Sequence, residues 1–426
     1  MLPSPANGQR CLIALVQILA LSVWFSAAAV VPSLRSEWDF GSAASGWLTA
    51  SVQIGFAAGA VISTLLQLAD RIAPQHLLAA GAASATACTA ALTVLAHDLC
   101  EAIPLRFLTG VALAAVYPVG MKLMASWSES TDRGQWFGIL IGSLALGSAF
   151  PQLISGFGPL PWRTVMVIAA ALSAVAAIIA VVAIVPGPHL DSRAITPNPR
   201  HVIAMFAERG FRLTNLGYFG HMWELYALWT WLSMFVLAGR SERGDAVASS
   251  TGFIAFVAIG VAGAVGCLLG GWASDRFGRP RAAVAALVIS GICCMASPLF
   301  FAAPAIVLVV FLLVWGAAVI ADSGVFSTAL SEMTDTRFVG TALTAQTAVG
   351  FLLTVVTVQL VPLTADIVGW RYAFLLLAPG PLIGAVAMSA LPAFQHHQLK
   401  EESHDHQLYP HDAVRRSDSA ALTHRG

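Results

Sequence analysis

Twelve apolar stretches, each close to the length that crosses a bilayer, constrain what this chain of 426 residues can become. Hydrocarbon offers no water to satisfy backbone N–H and C=O groups, so runs of about 20 apolar residues fold as helices that pair those groups internally. The runs occupy about 11–31, 44–66, 77–96, 103–127, 134–153 and 164–185, then 213–237, 252–272, 282–301, 305–330, 340–361 and 372–391. The chain is 58% hydrophobic and 10% charged, against about 25% charged for a soluble domain, so the helices have a membrane to sit in. The run at 11–31 is long enough to span. It is read as a retained first helix rather than a signal peptide, although Ser26-Ala27-Ala28-Ala29 resembles a cleavage site.

The halves repeat. Gly270–Arg281 ends one apolar run, turns tightly among arginines and opens the next. A fainter copy runs from Gly59 through Asp70-Arg71 to His76, with Asp70 and Asp275 offset by 205 residues (275 − 70). At nearly that offset Gly55 meets Gly260, Arg133 meets Arg337, and Trp162-Arg163 meets Trp370-Arg371. Internal repeats of hydrophobic segments are a signature of secondary transporters. The expected architecture is an all-α membrane protein whose twelve transmembrane helices form two pseudo-symmetric six-helix bundles around a central cavity. The bundles take residues 1–185 and 213–392, with a polar linker at 186–212 and a polar, His-rich tail at 393–426.

The motif Gly271-x-x-x-Asp275-Arg276-x-Gly278-Arg279-x-Arg281 is similar to the loop signature of the major facilitator superfamily. The upstream copy, Asp70-Arg71, departs from it at Ala73 and Pro74. The resemblance implies alternating access, with both loops gating the cytoplasmic side and the third, sixth, ninth and twelfth spans packed outside the cavity. Arg106, in Pro104-Leu105-Arg106-Phe107, resembles the family's fourth-helix arginine, which is implicated in proton transfer; simple interfacial anchoring is the other reading. The drug-antiporter signature G-P-x-x-G-G is missing from the fifth span, where the chain reads Gly142 to Gly147 without it, so uptake is favoured over multidrug efflux.

Basic residues set the orientation. Sixteen of the 22 lysines and arginines fall on the side of the N-terminus, which the positive-inside rule assigns to the cytoplasm, and an even number of spans puts both termini there. The expected location is the inner (plasma) membrane.

The seventh span concentrates polar chemistry: Gly217 to Trp231 holds His221, Trp223, Glu224, Tyr226 and Trp231. His221 and Glu224 stand three apart and share a helical face. Desolvation disfavours the charged form of a carboxylate buried in a membrane, so Glu224 is a candidate proton carrier with His221 as relay. A structural pair tying helices together is the alternative. Trp223, Tyr226, Trp231, Gln53 and Gln346 are candidate substrate contacts. Asp322 and Lys122 lie deep in the tenth and fourth spans, where they form a gate or, for Lys122, snorkel to the interface.

Six cysteines without a C-x-x-C pair read as small buried hydrophobes, and no metal or cofactor is expected. No nucleophile elbow, zinc-helix or phosphate-loop motif marks an enzyme. The expected function is proton-coupled movement of a small polar solute, such as an organic anion or nutrient, by a monomer in the lipid bilayer. A multidrug/proton antiporter or a transporter-like sensor are the alternatives.

Overall fold

The computed structural model describes residues 5–128, 133–158, 160–190, 208–245, 250–334 and 339–391. The His-rich tail, linker residues 191–207, Arg337 and the side chains of Asp70 and Arg133 lie outside the described residues. Among the described residues all regular structure is helical, and ten helices are long and apolar enough to cross a membrane. The other two spans are exceptional for physical reasons. The first is broken into Pro5–Leu21, Ser26–Ala29 and Val31–Trp38. The seventh, Arg209–Glu242, is the longest at 34 residues and carries buried Asn215, His221 and Glu224 among its apolar residues.

Three other spans are irregular. The fourth splits into Leu99–Leu113 and Tyr117–Trp127, and the tenth into Ala305–Ala321 and Ser323–Met333 with Asp322 between. The eighth holds a π-helical stretch, Phe256–Ala262, between Ser250–Ala255 and Gly263–Phe277. Broken and π-helical segments cluster at functional sites of membrane proteins, because freed backbone groups survive only beside protein partners.

The second span, Ser42–Leu65, packs along the eleventh, Val339–Val368, and the fifth, Arg133–Gly156, along the eighth. These two seams join the halves, together with contacts between the first and seventh and the fifth and tenth spans. The third, sixth, ninth and twelfth spans pack mainly within their own halves, as the family resemblance implies.

Glycines set the closest approaches. A Cβ on Gly55 would lie 2.0 Å from the Phe107 carbonyl oxygen, and one on Gly110 2.1 Å from that of Val52, which fuses the second and fourth spans. The C-terminal half is fused in the same way. Gly266, Gly270 and Gly316 bring the eighth and tenth spans into backbone contact, with 1.8 Å from a Gly270 Cβ to the Ala321 oxygen.

The outer ends show a second copy of the repeat. Arg35-Ser36-Glu37 recurs as Arg240-Ser241-Glu242 at the offset of 205 (242 − 37). Glu37 accepts from Arg163 at 2.8 Å and from the Trp162 indole at 2.5 Å, and Glu242 accepts from Arg371, which follows Trp370. In each half the end of the first helix is thus tied to the start of the last. The backbone turns left-handed two residues later in both, at Asp39 (φ 48°) and Gly244 (φ 73°). The hydrogen bonds from Trp162 and Arg163 hold the Glu37 carboxyl below its ordinary range. A depressed carboxylate contributes stability above the unfolded value, about 4.3, that is lost as pH falls through the folded one; half-exposed and screened, this clamp contributes little.

Adjacent glycines in the motif separate packing from gating. Gly270→Ala has to push the Ala321 carbonyl aside and should cost about 1–3 kcal/mol of thermal stability. Gly271→Ala meets nothing within 4 Å and should leave stability unchanged within about 0.5 kcal/mol. Thermal unfolding of the two variants in detergent, measured side by side, checks the contrast.

Candidate functional site

The break at residues 22–25 turns Trp24 and Phe25 into the space between the halves. Trp24 packs on Phe56 of the second span (ring centroids 4.9 Å), Phe351 of the eleventh (5.7 Å) and Tyr226 of the seventh (6.0 Å). Phe25 stacks on Tyr226 at 5.8 Å and meets the edge of Trp229 at the same separation. All six rings are buried and packed ring against ring, so both halves together close an aromatic cluster, here termed the cage. Polar groups in and beside it lack partners. The Trp24 and Trp229 indole nitrogens make no hydrogen bond, and neither does either end of the Gln53 amide, which is fully buried about one turn from Phe56. Buried polar groups are normally paired, so each of these orphans is short of a partner.

Arg106 explains the break. It is completely buried, and its guanidinium donates to the carbonyls of Val23 (3.0 Å), Trp24 and Leu48 (3.1 Å) and to Ser26 Oγ (3.4 Å). Two of those carbonyls belong to the turn interrupting the first span. All of these acceptors are neutral, so Arg106 is a buried cation one residue layer behind the cage.

The acidic residues form a separate cluster inside the C-terminal half. Glu224 Oε1 accepts from Ser290 (2.6 Å) and Cys294 (3.2 Å) of the ninth span and from the Trp315 indole (2.6 Å) of the tenth. His221 points to the break in the tenth span. Its Nδ1 lies 2.8 Å from Asp322 Oδ1, and its Nε2 is 2.8 Å from Ser323 Oγ. The Nδ1 contact has ion-pair distance without hydrogen-bond alignment, so both Asp322 oxygens remain without a hydrogen bond.

Several expected residues sit elsewhere. Trp223 donates to the Leu376 carbonyl at 3.0 Å and lines an apolar groove of about 240 Å³ with Leu216, Gly220, Leu353 and Gly380, away from the cage. Trp231 donates to the Val358 carbonyl at 2.9 Å and packs on Trp370, at the outer end. Trp231, five residues on from Tyr226, is turned off its helical face, whereas Trp223, three before it, is drawn aside by its bond to the twelfth-span carbonyl. Gln346 donates to Asn215 Oδ1 at 3.2 Å and links the eleventh span to the seventh. The expected Lys122–Asp322 pair is not formed: Lys122 Nζ donates to the Ala69 carbonyl at 2.7 Å, beside the Asp70-Arg71 turn, while Asp322 faces His221. The backbone break at Asp322 aims its carboxylate at the seventh span.

At the C-terminal loop Gly278 takes φ 89°, a left-handed value that ends the eighth span and starts the ninth at Arg279. Arg279 donates twice to Glu332 Oε1 of the tenth span (3.0 and 3.1 Å), to Ser274 Oγ (2.8 Å) and to Asp275 Oδ1 (3.4 Å). Asp275 and Arg276 are exposed. Reading from the sequence alone passes over Trp24, Phe25, Phe56 and Phe351. Two aromatics within a first span of small residues were the one available signal, and only the helix break reveals their direction.

Two homologous six-helix bundles closing on a buried, neutral cage define a membrane transporter. The chain belongs to the Major Facilitator Superfamily, whose family model matches residues 13–241 and 214–417. It is 23% identical over 388 residues to the gentisate transporter of Corynebacterium glutamicum, covering 86% of this chain and 83% of that protein. It is 25% identical over 299 residues to the gallate transporter of Pseudomonas putida, covering 62% of this chain and 64% of that one, just under two thirds of that relative's length. The niacin transporter of Acinetobacter baylyi is 24% identical over 322 residues, covering 67% and 70%. The fold is similar to an inward-open structure of the xylose transporter XylE from E. coli, with a TM-score of 0.72 at 14% identity over 91% of this chain and 96% of that one.

Removing the guanidinium strands the carbonyls it satisfies. Arg106→Ala should lower stability by about 3 kcal/mol or more, and Arg106→Lys should recover only part, because an ammonium cannot match the planar fork. Thermal unfolding of purified protein checks this; wild-type stability in Arg106→Ala would show that the break is held by something else.

Proposed function

We propose that this protein carries small aromatic or similarly planar organic anions into the cell together with protons, by alternating access. The observation behind the reading is the sealed cage of six aromatic rings with unpaired indole and amide groups at the meeting of the two halves. Flat rings stack on Trp and Tyr at about 4.5–7 Å, and phenol, carboxylate or ring-nitrogen atoms suit the Gln53 amide and the two indole N–H groups. Gentisate, gallate and niacin, named for the relatives above, are all aromatic carboxylic acids.

In this reading Tyr226 and Gln53 contact the solute, whereas Gln346, Trp223 and Trp231 hold the helices that carry them. Arg106, a cation without an acidic partner in its hydrogen-bond shell, favours an anion arriving near Trp24. Glu224, His221 and Asp322 form the acidic cluster from which a proton is exchanged. The Asp70-Arg71 turn with Lys122, and the Gly271–Arg279 loop with Glu332, close the cytoplasmic side. Both termini face the cytoplasm, the protein sits in the inner membrane as a monomer, and about 2.3 kcal/mol per proton per 100 mV is available to drive uptake.

A binding panel tests the substrate class. Purified protein titrated with gentisate, gallate, nicotinate, benzoate and the lipophilic cation tetraphenylphosphonium should show thermal stabilisation and tryptophan quenching by the aromatic acids. Gln53→Ala and Tyr226→Ala should weaken that binding about tenfold or more, while Trp223→Phe leaves it within about twofold. Binding confined to tetraphenylphosphonium would overturn the anion reading in favour of efflux.

A further inference from the structure

The two buried carboxylates of the C-terminal half differ in what surrounds them. Glu224 is fixed by three donors on one oxygen, from two other spans, and moving it strands Ser290, Cys294 and Trp315 at once. Asp322 is as deeply buried, at 1% exposure, and no hydrogen bond reaches either of its oxygens. Among the described residues no lysine or arginine lies within ion-pair distance of it. Buried polar groups are normally hydrogen-bonded, so a bare carboxylate at this depth sets Asp322 apart.

The neighbouring groups are arranged to accept protonation of Asp322. With Asp322 ionised, the Nδ1–H of a neutral His221 faces the carboxylate and Ser323 Oγ donates to Nε2. With Asp322 protonated, a small rotation of the carboxyl turns its O–H toward Nδ1, and the Nε2–H donates to Ser323 Oγ. A serine hydroxyl serves either way, so both tautomers keep their contacts. The other titratable groups that face the pair are Tyr218 against the His221 ring, Glu224 beside His221 on the seventh span and Cys267 of the eighth beside Asp322; Cys293 and Cys294 of the ninth lie beyond them, around Glu224.

Asp322 also occupies the joint of the tenth span. It ends the helix Ala305–Ala321 and begins Ser323–Met333, and its carbonyl accepts from the N–H groups of Val325 and Phe326. The second helix carries at its far end Glu332, which holds Arg279 of the cytoplasmic loop. One rigid segment of 11 residues therefore connects a buried carboxylate to the loop clamp.

We propose that Asp322, sharing its proton with His221, is the site at which the transported proton is carried, and that Glu224 is a fixed anchor between the seventh, ninth and tenth spans. This rests on the proton-coupled reading and locates its proton. A proton from the outer side binds an Asp322 oxygen, and the charge of the pair goes from minus one to zero. On opening inward the proton returns to cytoplasmic water and the carboxylate is restored. The change of charge at the joint reorients Ser323–Met333 and, through Glu332, engages or releases Arg279.

The test uses the full-length protein in lipid bilayers and reads the carboxylic-acid C=O stretch by infrared difference spectroscopy as pH is varied. The wild type should show a band that appears and disappears with pH. The band should be lost in Asp322→Asn, kept in Glu224→Gln, and shifted in midpoint by His221→Gln. If Asp322→Asn does not fold, Asp322→Glu should keep a titrating band at an altered frequency. A band that persists unchanged in Asp322→Asn or Asp322→Glu, or that vanishes in Glu224→Gln, overturns the assignment.

A second arm uses liposomes and labelled gentisate. Asp322→Asn should exchange gentisate within about threefold of wild type while pH-driven accumulation collapses to equal concentrations on both sides; continued accumulation overturns the proposal. A wild-type protein that shows the titrating Asp322 band but exchanges gentisate without pH-driven accumulation overturns proton coupling itself and leaves Asp322 as a protonation site only.

Discussion

A guanidinium that never meets water underlies the arrangement of the site. A helix broken in hydrocarbon frees carbonyls that lipid cannot satisfy, each costing about 2–7 kcal/mol if left bare. Arg106 meets the carbonyls of Val23, Trp24 and Leu48 from one side chain, so the first span bends where Trp24 and Phe25 must leave their helix and enter the interface. Charge-assisted bonds to three acceptors offset part of the burial cost of the cation. The cage, the break and the buried arginine stand or fall together.

Around this pivot the two halves are stiff and their seams are soft. Within each half, backbone-to-backbone glycine contacts join the second to the fourth span and the eighth to the tenth, and an Arg-Ser-Glu clamp ties the outer ends. Two side-chain hydrogen bonds across the seams are small and neutral: Thr64 with Thr344 at 3.1 Å, and Ser233 donating to Gln152 at 2.9 Å. Neutral contacts of this size contribute about 0.6 kcal/mol each on average in membrane proteins, so they break without large penalty while the interior of each half holds. One seam is closer, since a Cβ on Gly252 of the eighth span would lie 2.4 Å from the Gln152 carbonyl oxygen of the fifth, and that backbone contact has to part when the bundles rock.

The fold was largely readable from the residues because spans of twenty apolar residues and a repeat offset of 205 leave few alternatives. The site was readable only in part. Glu224 and His221 stand out by charge, and Tyr226 and Gln53 by polarity in apolar runs, but Trp223 and Trp231 have the same composition signal and turn elsewhere. Which way a ring points depends on helical phase, and in the first and tenth spans the phase resets at breaks, at residues 22–25 and at Asp322, that unbroken apolar runs conceal. Asp322 was visible as a deep carboxylate, yet its partner was misassigned for that reason. The Arg-Ser-Glu repeat was present in the letters and acquired meaning only when both copies met an arginine beside a tryptophan.

The division of labour between neutral cage and hidden charges has a physical logic. Tyr226, Trp24, Phe25, Phe56, Trp229 and Phe351 carry no charge, so a solute is held there by stacking and a few hydrogen bonds and can leave again. Arg106 lies directly behind the Trp24 carbonyl, and a charge at such distance in a low-dielectric interior still acts on an anion without forming an ion pair that would trap it. The acidic cluster sits on the opposite side of the seventh-span helix, toward the ninth and tenth spans. Attraction for the anion and repulsion from the carboxylates therefore reach the cage from different directions. In the proposed reading, a change of one proton in that cluster would alter the field at the cage and the joint of the tenth span together, so the energetics of binding and of opening would share a single variable.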